Sequence, residues 1–367
     1  MKKLLFIAAG LGAGGAERQI TTVACLMKQA GYDVIMYCWN DENFFDSILN
    51  DSKIPIIREV ANGFKRLLNV RSFIRNNKFD VVISFLPTPN FCNEIASLGG
   101  RQWRVIIGER SAAIRKAKTL KDVIFNYCRN FADVQVCNSN NAKELWSEVY
   151  PESPLQLKTI YNAVSIGKVT EDYYPLKNGK LHVLIVASIY KTKNPFGLLE
   201  AIKLMSNFEK NKLVIDWYGN SYAATGDKSE YFHFVNEIKE CKLEDVIVLH
   251  PATNDVANTI QRADVVALFS KLEGLPNAIC EGMMVGKPII MTRISDYNTI
   301  VDETNGYLCD WDDAKSIKNA LLNAANLLPD ELIKMGKASK MKANNLFSAT
   351  SISKKWIDLI ENKYDEE

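Results

Sequence analysis

The chain has 367 residues, 47% of them hydrophobic and 24% charged. That balance excludes a disordered or fibrous chain, and the length favours two domains of about 150–200 residues over one. Net charge is +2, but residues 1–165 hold 21 Lys and Arg against 15 Asp and Glu, and residues 166–367 hold 24 against 28, so the halves stand at +6 and −4. Ordinary surface variation produces such a split, and so does an anionic partner on the first half, such as a membrane surface. No nucleic-acid partner is expected.

The first apolar run, Leu4–Ala9, breaks at Gly10 and gives way to a helical pattern. It therefore reads as a buried strand and not as a signal peptide. Asp33–Tyr37, Val81–Phe85, Val105–Ile107 and Val134–Cys137 read as further buried strands, with an amphipathic helix over Ala16–Ala30. Residues 1–165 thus form one α/β domain, and Ile166–Lys180, rich in turn residues, reads as a linker. Alternation restarts with His182–Ala187, Lys212–Tyr218, Val246–Leu249, Val265–Phe269 and Pro288–Met291 as strands, and Pro195–Phe208 and Tyr231–Cys241 as helices. Residues 181–350 form the second domain, and 351–367 a last helix expected to cross back to the first. The fold class is α/β, two Rossmann-like domains of mostly parallel sheet facing a central cleft.

No stretch reaches the roughly 20 apolar residues of a membrane span. The eight cysteines contain no Cys-x-x-Cys pair, and His182, His233 and His250 fall at no metal-ligand spacing. Both features fit a reducing cytoplasm and a chain without zinc.

Gly10-Leu-Gly12-Ala-Gly14-Gly15 matches G-x-G-x-x-G between a strand and a helix, and Asp41 follows where a ribose ligand would stand. The pattern suits a nicotinamide-dependent oxidoreductase. A backbone that approaches phosphate at a helix start serves a sugar-nucleotide diphosphate equally well. Glu17 is favourable at the helix start, and Arg18 adds a positive charge there.

The second half separates these readings. Glu273-Gly274-Leu275-Pro276-Asn277 follows a strand, and a helix opening near Asn277 and ending at Gly286 carries Glu281 one turn in. Two carboxylates at different depths can accept hydrogen bonds from two sets of hydroxyls, with helix N–H groups between them for an anion. A nucleotide-sugar presents that combination.

In these residues the chain resembles the retaining glycosyltransferases of family four, of GT-B architecture. The likeness runs through Gly14-Gly15-Ala16-Glu17-Arg18, Asp80–Ser84, Asn162–Val164, Lys193-Asn194-Pro195, Trp217–Asn220, the Glu273–Glu281 block and Asn305–Leu308. It implies that Glu273 holds donor-sugar hydroxyls, Glu281 the ribose, the 274–277 backbone the sugar and phosphate, and Lys193 the diphosphate, with Gly14 and Gly15 facing the phosphates. It also implies front-face transfer without a side-chain nucleophile and without a metal or other cofactor. It implies, further, an acceptor that is a saccharide or a polyprenyl-linked glycan.

Two departures stand out. Where the family has an arginine after the first strand of the second domain, this chain has Ser188, with Lys191 or Arg18 to supply the charge. No first-domain histidine follows the fourth expected strand, leaving Glu109 and Arg110 as candidates for the polar partner of the reacting sugar. Asp310-Trp311-Asp312 mimics a metal motif but precedes a helix that aspartates commonly cap. Basic and apolar positions mix over 112–131 (Arg115, Lys116, Lys118, Lys121) and at Phe64–Leu68, Arg71 and Arg75, which suits docking on an anionic membrane or a solvated basic face. A non-catalytic nucleotide-sugar-binding protein remains a rival, but it gives no reason for Lys193 and both glutamates.

Overall fold

The computed structural model describes residues 1–110, 114, 119–221 and 226–363. By internal contacts the chain divides into two units, Met1–Ala163 with Ala349–Glu367, and Val164–Ser348.

The first unit holds a parallel sheet of β1 (Lys3–Ile7), β2 (Asp33–Cys38), β3 (Ile56–Arg58), β4 (Val81–Phe85), β5 (Arg104–Glu109), β6 (Val134–Cys137) and β7 (Gln156–Thr159), ordered β3-β2-β1-β4-β5-β6-β7. In the second unit, β8 (Leu181–Val186), β9 (Leu213–Tyr218), β10 (Ile247–His250), β11 (Val265–Leu268), β12 (Ile289–Thr292) and β13 (Gly306–Cys309) run in the order β10-β9-β8-β11-β12-β13. Both are doubly wound. The order reverses between β1 and β4 in one sheet and between β8 and β11 in the other, and such switch points are where open α/β sheets bind ligands.

Central strands such as Val81–Phe85 and Val265–Leu268 are buried at every position, as a sheet covered on both faces demands. The edges β3 and β7 were not foreseen from the sequence. Neither buries a residue fully, and Gln156-Leu157-Lys158-Thr159 offers no apolar run. The expected helix over Pro195–Phe208 is two, Pro195–Lys203 and Asn207–Lys210, because Ser206 and Glu209 form a capping box that starts the chain afresh.

The helix Ala349–Ile360 buries Ile352, Trp356, Leu359 and Ile360 in the first unit. There Trp356 lies 6.1 Å from the Phe85 ring, and Lys2 Nζ and Tyr32 Oη each reach Glu361 at 2.8 Å.

Candidate functional site

In the second unit the loops after β8 and β11, the two strands at the switch point, meet. Lys271 N–H donates to Thr192 O at 2.8 Å, which ties one loop to the other. Lys193 leaves a short 3₁₀ turn, Lys191–Lys193, and its ammonium donates to Glu273 Oε1. Ser270 Oγ donates to the same oxygen at 2.7 Å, and Thr292 Oγ1 fixes Ser270 O at 2.6 Å. The pair is only 17% and 15% exposed, so it is screened far less than a surface ion pair. Among the described residues Glu273 Oε2 has no protein partner, which leaves it to accept from a ligand hydroxyl.

Asn194 adopts a left-handed backbone, φ 59°, and its buried side chain donates to Trp311 O at 2.7 Å. It is thus a positioning group that holds Lys193 at the start of the helix Pro195–Lys203. Leu275 and Pro276 are buried, Ser295 Oγ donates to Gly274 O, and the helix Asn277–Val285 starts with no side-chain cap. It stops at Gly286, φ 99°, a left-handed terminus that suits glycine. Glu281 lies half-buried one turn inside it, and Asn277 is exposed at its first position. Lys193, Asn194, Glu273 and the 274–277 segment are therefore gathered at the C-terminal ends of the two central strands β8 and β11. Ser188 lies half-buried in the loop after β8, and Lys191 is exposed, its backbone N–H donating to Glu230.

Asp310 pairs with Arg293 at 2.8 Å, and Asp313 caps the next helix by accepting from Lys315 N–H at 2.8 Å. Among the described residues no group of three His, Cys, Asp or Glu is placed to hold a metal ion.

The first unit holds the remaining candidates. The helix Gly15–Gln29 opens at Gly14, and a side chain at Gly14 would collide with the Glu17 carboxylate, whereas one at Gly15 would meet nothing within 4 Å. Arg18 is exposed. Gly10 and Gly12 are closed off instead, because an added Cβ would come 2.8 and 3.1 Å from the Glu42 carboxylate. A carboxylate against both glycines disfavours a dinucleotide pyrophosphate there, and it belongs to Glu42 and not to Asp41.

Glu109 ends β5. It accepts from Arg129 at 3.2 Å and from Arg110 N–H at 3.0 Å. The Arg110 guanidinium lies over Phe85, 3.7 Å from the ring centre, and donates to Asn162 at 3.3 Å, while its buried Nε has no partner. Burial pushes its pKa down to about 10, so it is still charged at neutral pH.

Sequence spacing hid one cluster. Neighbouring strands bring His182 and His250 to Asp216, at 3.7 and 2.7 Å. The neighbouring Asp216 carboxylate raises the His182 pKa against the effect of burial.

Two doubly wound parallel domains in one chain, the second with a lysine–glutamate pair at its switch point, form the architecture of the GT-B glycosyltransferases. Residues 171–343 match the family described as Glycosyl transferases group 1, and residues 13–168 match Glycosyltransferase Family 4. Together the matches take in most of the chain, which belongs to these glycosyltransferases.

The chain is 25% identical over 370 residues to the UDP-Gal:alpha-D-GlcNAc-diphosphoundecaprenol alpha-1,3-galactosyltransferase of Escherichia coli, covering 92% of each. It is 26% identical over 380 residues to a Campylobacter jejuni enzyme, covering 98% of each. The latter is named GalNAc-alpha-(1->4)-GalNAc-alpha-(1->3)-diNAcBac-PP-undecaprenol alpha-1,4-N-acetyl-D-galactosaminyltransferase. The solved structure of Anabaena HepE with UDP matches with a TM-score of 0.82 at 16% identity, over 98% of this chain and all of that one, which is a likeness of fold.

Proposed function

We propose that the chain transfers a hexose or N-acetylhexosamine from a nucleotide-sugar to a saccharide or polyprenyl-diphosphate-linked glycan, with retention and without a metal. A UDP-sugar is the favoured donor and a GDP-sugar the alternative. The setting is surface polysaccharide or glycan assembly, on the cytoplasmic side of the membrane. The observation that carries the donor reading is the Lys193–Glu273 pair, held by Ser270 at the switch point beside an uncapped helix start.

In this reading the pair opens when donor arrives. Lys193 turns to the diphosphate, whose negative charge grows as the glycosidic bond breaks, and Glu273 accepts hydroxyls of the sugar. Glu281 holds the ribose. Attack from the same face lets the departing phosphate oxygen take the acceptor's proton, so no side-chain nucleophile is required. Curated relatives that span nearly the whole chain act on diphosphoundecaprenol-linked glycans, which supports the acceptor class.

The membrane part rests on one face of the helix Leu120–Arg129, where Leu120, Val123, Ile124 and Tyr127 are 76, 51, 45 and 66% exposed. Lys121 is exposed beside them, and Arg115, Lys116 and Lys118 lie outside the described residues. The guanidinium groups of Arg71 and Arg75 donate to the carbonyls of Ile95, Ala96, Leu98 and Gly100 at the end of a helix, which fixes their position and leaves their charge in place.

The test is a panel of UDP- and GDP-sugars with a polyprenyl-diphosphate-linked disaccharide acceptor, run with and without EDTA. Release of nucleoside diphosphate with acceptor extension and an α-linked product, unchanged by EDTA, is expected. No turnover of any donor, or turnover only with added manganese or magnesium, contradicts the reading.

A further inference from the structure

The tryptophans divide sharply. Trp39, Trp103, Trp146, Trp217 and Trp356 are buried, whereas Trp311, in the loop after β13, is 38% exposed. Leaving so large an apolar ring in water is unfavourable, and tryptophans are mostly buried. This one is nevertheless held in place. Its carbonyl accepts from Asn194 Nδ2 at 2.7 Å, and the preceding Asp310 pairs with Arg293 at 2.8 Å and donates its backbone N–H to Ser316 Oγ at 3.1 Å. The loop after β11 supplies its neighbours. The Lys271 ammonium lies 5.1 Å from the Trp311 ring centre, and Leu272, 42% exposed, comes between Lys271 and Glu273.

The polar groups of this shelf are not used up. Among the described residues the Lys271 ammonium has no carboxylate partner and the Trp311 indole N–H has no acceptor, so each can donate to a hydroxyl.

Position decides which ring the shelf meets. Side chains of a strand alternate between the two faces of its sheet. Val266 of β11 lies against the helix that carries Glu281, where a Cβ on Gly282 would come 2.8 Å from it. Val265 and Ala267 pack instead with Leu198 and Ile202 of the helix after Lys193, and with Ile317 and Leu321 of the helix after Trp311. The elements of Glu281 and Trp311 thus cover opposite faces, and the Lys193–Glu273 pair stands at the strand ends between them. A nucleotide-sugar with its ribose at Glu281 and its sugar at Glu273 ends before Trp311. The next ring along that line is the one that receives the sugar.

We propose that Trp311 is a stacking platform for the acceptor. The receiving pyranose lays its C–H face on the indole and against Leu272, and moves the loosely placed Lys271 ammonium to its rim, where it donates to a hydroxyl. An aromatic face suits this task because it is apolar and negatively polarised, which favours the weakly positive hydrogens of C–H bonds. The proposal rests on the donor reading above for the places of Glu273 and Glu281.

The experiment follows the indole N–H signals of the six tryptophans in uniformly ¹⁵N-labelled full-length protein, with and without UDP. The probes are the methyl α-glycosides of glucose, galactose, N-acetylglucosamine and N-acetylgalactosamine, with UDP-glucose and geranyl diphosphate as donor and lipid probes. Trp311→Phe identifies the Trp311 signal. At least one glycoside should move it saturably, in the millimolar range expected of a single subsite, and leave the five buried indoles in place. In transfer to the polyprenyl-diphosphate-linked disaccharide, Trp311→Ala should raise the acceptor KM about tenfold, and Trp311→Phe, which keeps an aromatic face, should raise it much less. Donor affinity should be unchanged in both, because Asn194 is held by the Trp311 backbone and not by its side chain. A Trp311 signal that moves with no glycoside, drifts without saturating, or responds only to UDP-glucose or geranyl diphosphate overturns the proposal. So does a loss of donor affinity in Trp311→Ala equal to its loss of acceptor affinity. The titration needs no turnover, so failure of the transfer reading and failure of the platform are distinguishable.

Discussion

Lys193 and Glu273 are 80 residues apart in sequence and share a hydrogen bond because β8 and β11 are neighbours at the reversal of strand order. Glu273 could be picked out from the sequence through the turn and helix that follow it, and Lys193 through the family resemblance alone. Their pairing could not, since it depends on sheet order. The same limit explains Glu42: the sequence suggested Asp41 as a ribose ligand after the second strand, and only backbone geometry shows that the neighbouring Glu42 turns onto Gly10 and Gly12.

Close packing beside the site makes a sharp prediction. A Cβ on Gly219 would come 1.9 Å from Ala187 O, an oxygen that also accepts from Trp217 Nε1 at 2.7 Å. Gly219→Ala should therefore cost about 1–3 kcal/mol, measured as a lower urea midpoint. Gly15→Ala meets open space and should keep the wild-type midpoint while weakening donor binding, if phosphate approaches that backbone. An unstable Gly15→Ala, or a fully stable Gly219→Ala, would contradict this packing.

The continuous apolar strands and the helix Gly15–Gln29 were legible as elements because burial on both faces leaves a plain apolar run. The edge strands β3 and β7 were not, because half-buried edges are defined by their neighbours' hydrogen bonds and carry little hydrophobic signal. Arg71 and Arg75 hold carbonyls at the end of a helix, a role that sequence could not show, since a charge that caps a helix and a charge that only faces solvent look alike there.

The helix Pro87–Ala96 holds another feature that sequence could not show. Glu94 is 1% exposed with Oε1 unpartnered, and burial, partly offset by Arg129, pushes its pKa up to about 8. The folded protein then keeps this proton up to about pH 8, while the unfolded chain loses it near about 4.3. Within that window the native state binds more protons, so stability falls as pH rises, by at most about 1.4 kcal/mol per pH unit. Glu94→Gln should flatten the difference in unfolding free energy between pH 5 and pH 7.5, and an unchanged slope would contradict the assignment.

At the scale of the whole molecule, the last helix belongs to the first unit although the second unit precedes it in sequence. Removing residues 349–367 uncovers the surfaces that Ile352, Trp356, Leu359 and Ile360 bury, each side chain contributing about 1.5–3 kcal/mol when fully buried. Hydrogen exchange should then accelerate throughout β1–β7 and stay protected in β8–β13. Equal loss of protection in both sheets would show that the units do not fold separately.

For the exposed stripe on Leu120–Arg129, co-sedimentation with anionic vesicles should decrease in Leu120→Ser/Ile124→Ser and should also decrease at high salt. Equal binding to neutral and anionic vesicles removes the electrostatic part of the proposal.

The central claim is that the switch point of the second sheet binds and activates a nucleotide-sugar. The most direct measurement is donor affinity and turnover for Lys193→Ala, beside Glu273→Gln and Glu281→Ala, with folding checked by circular dichroism. If Lys193 stabilises charge that grows only as the bond breaks, its loss lowers turnover by about a hundredfold or more and changes affinity little. Glu281→Ala should mainly weaken donor binding, because ribose contacts are the same before and during the reaction. Wild-type turnover and affinity in all three folded variants would contradict the account.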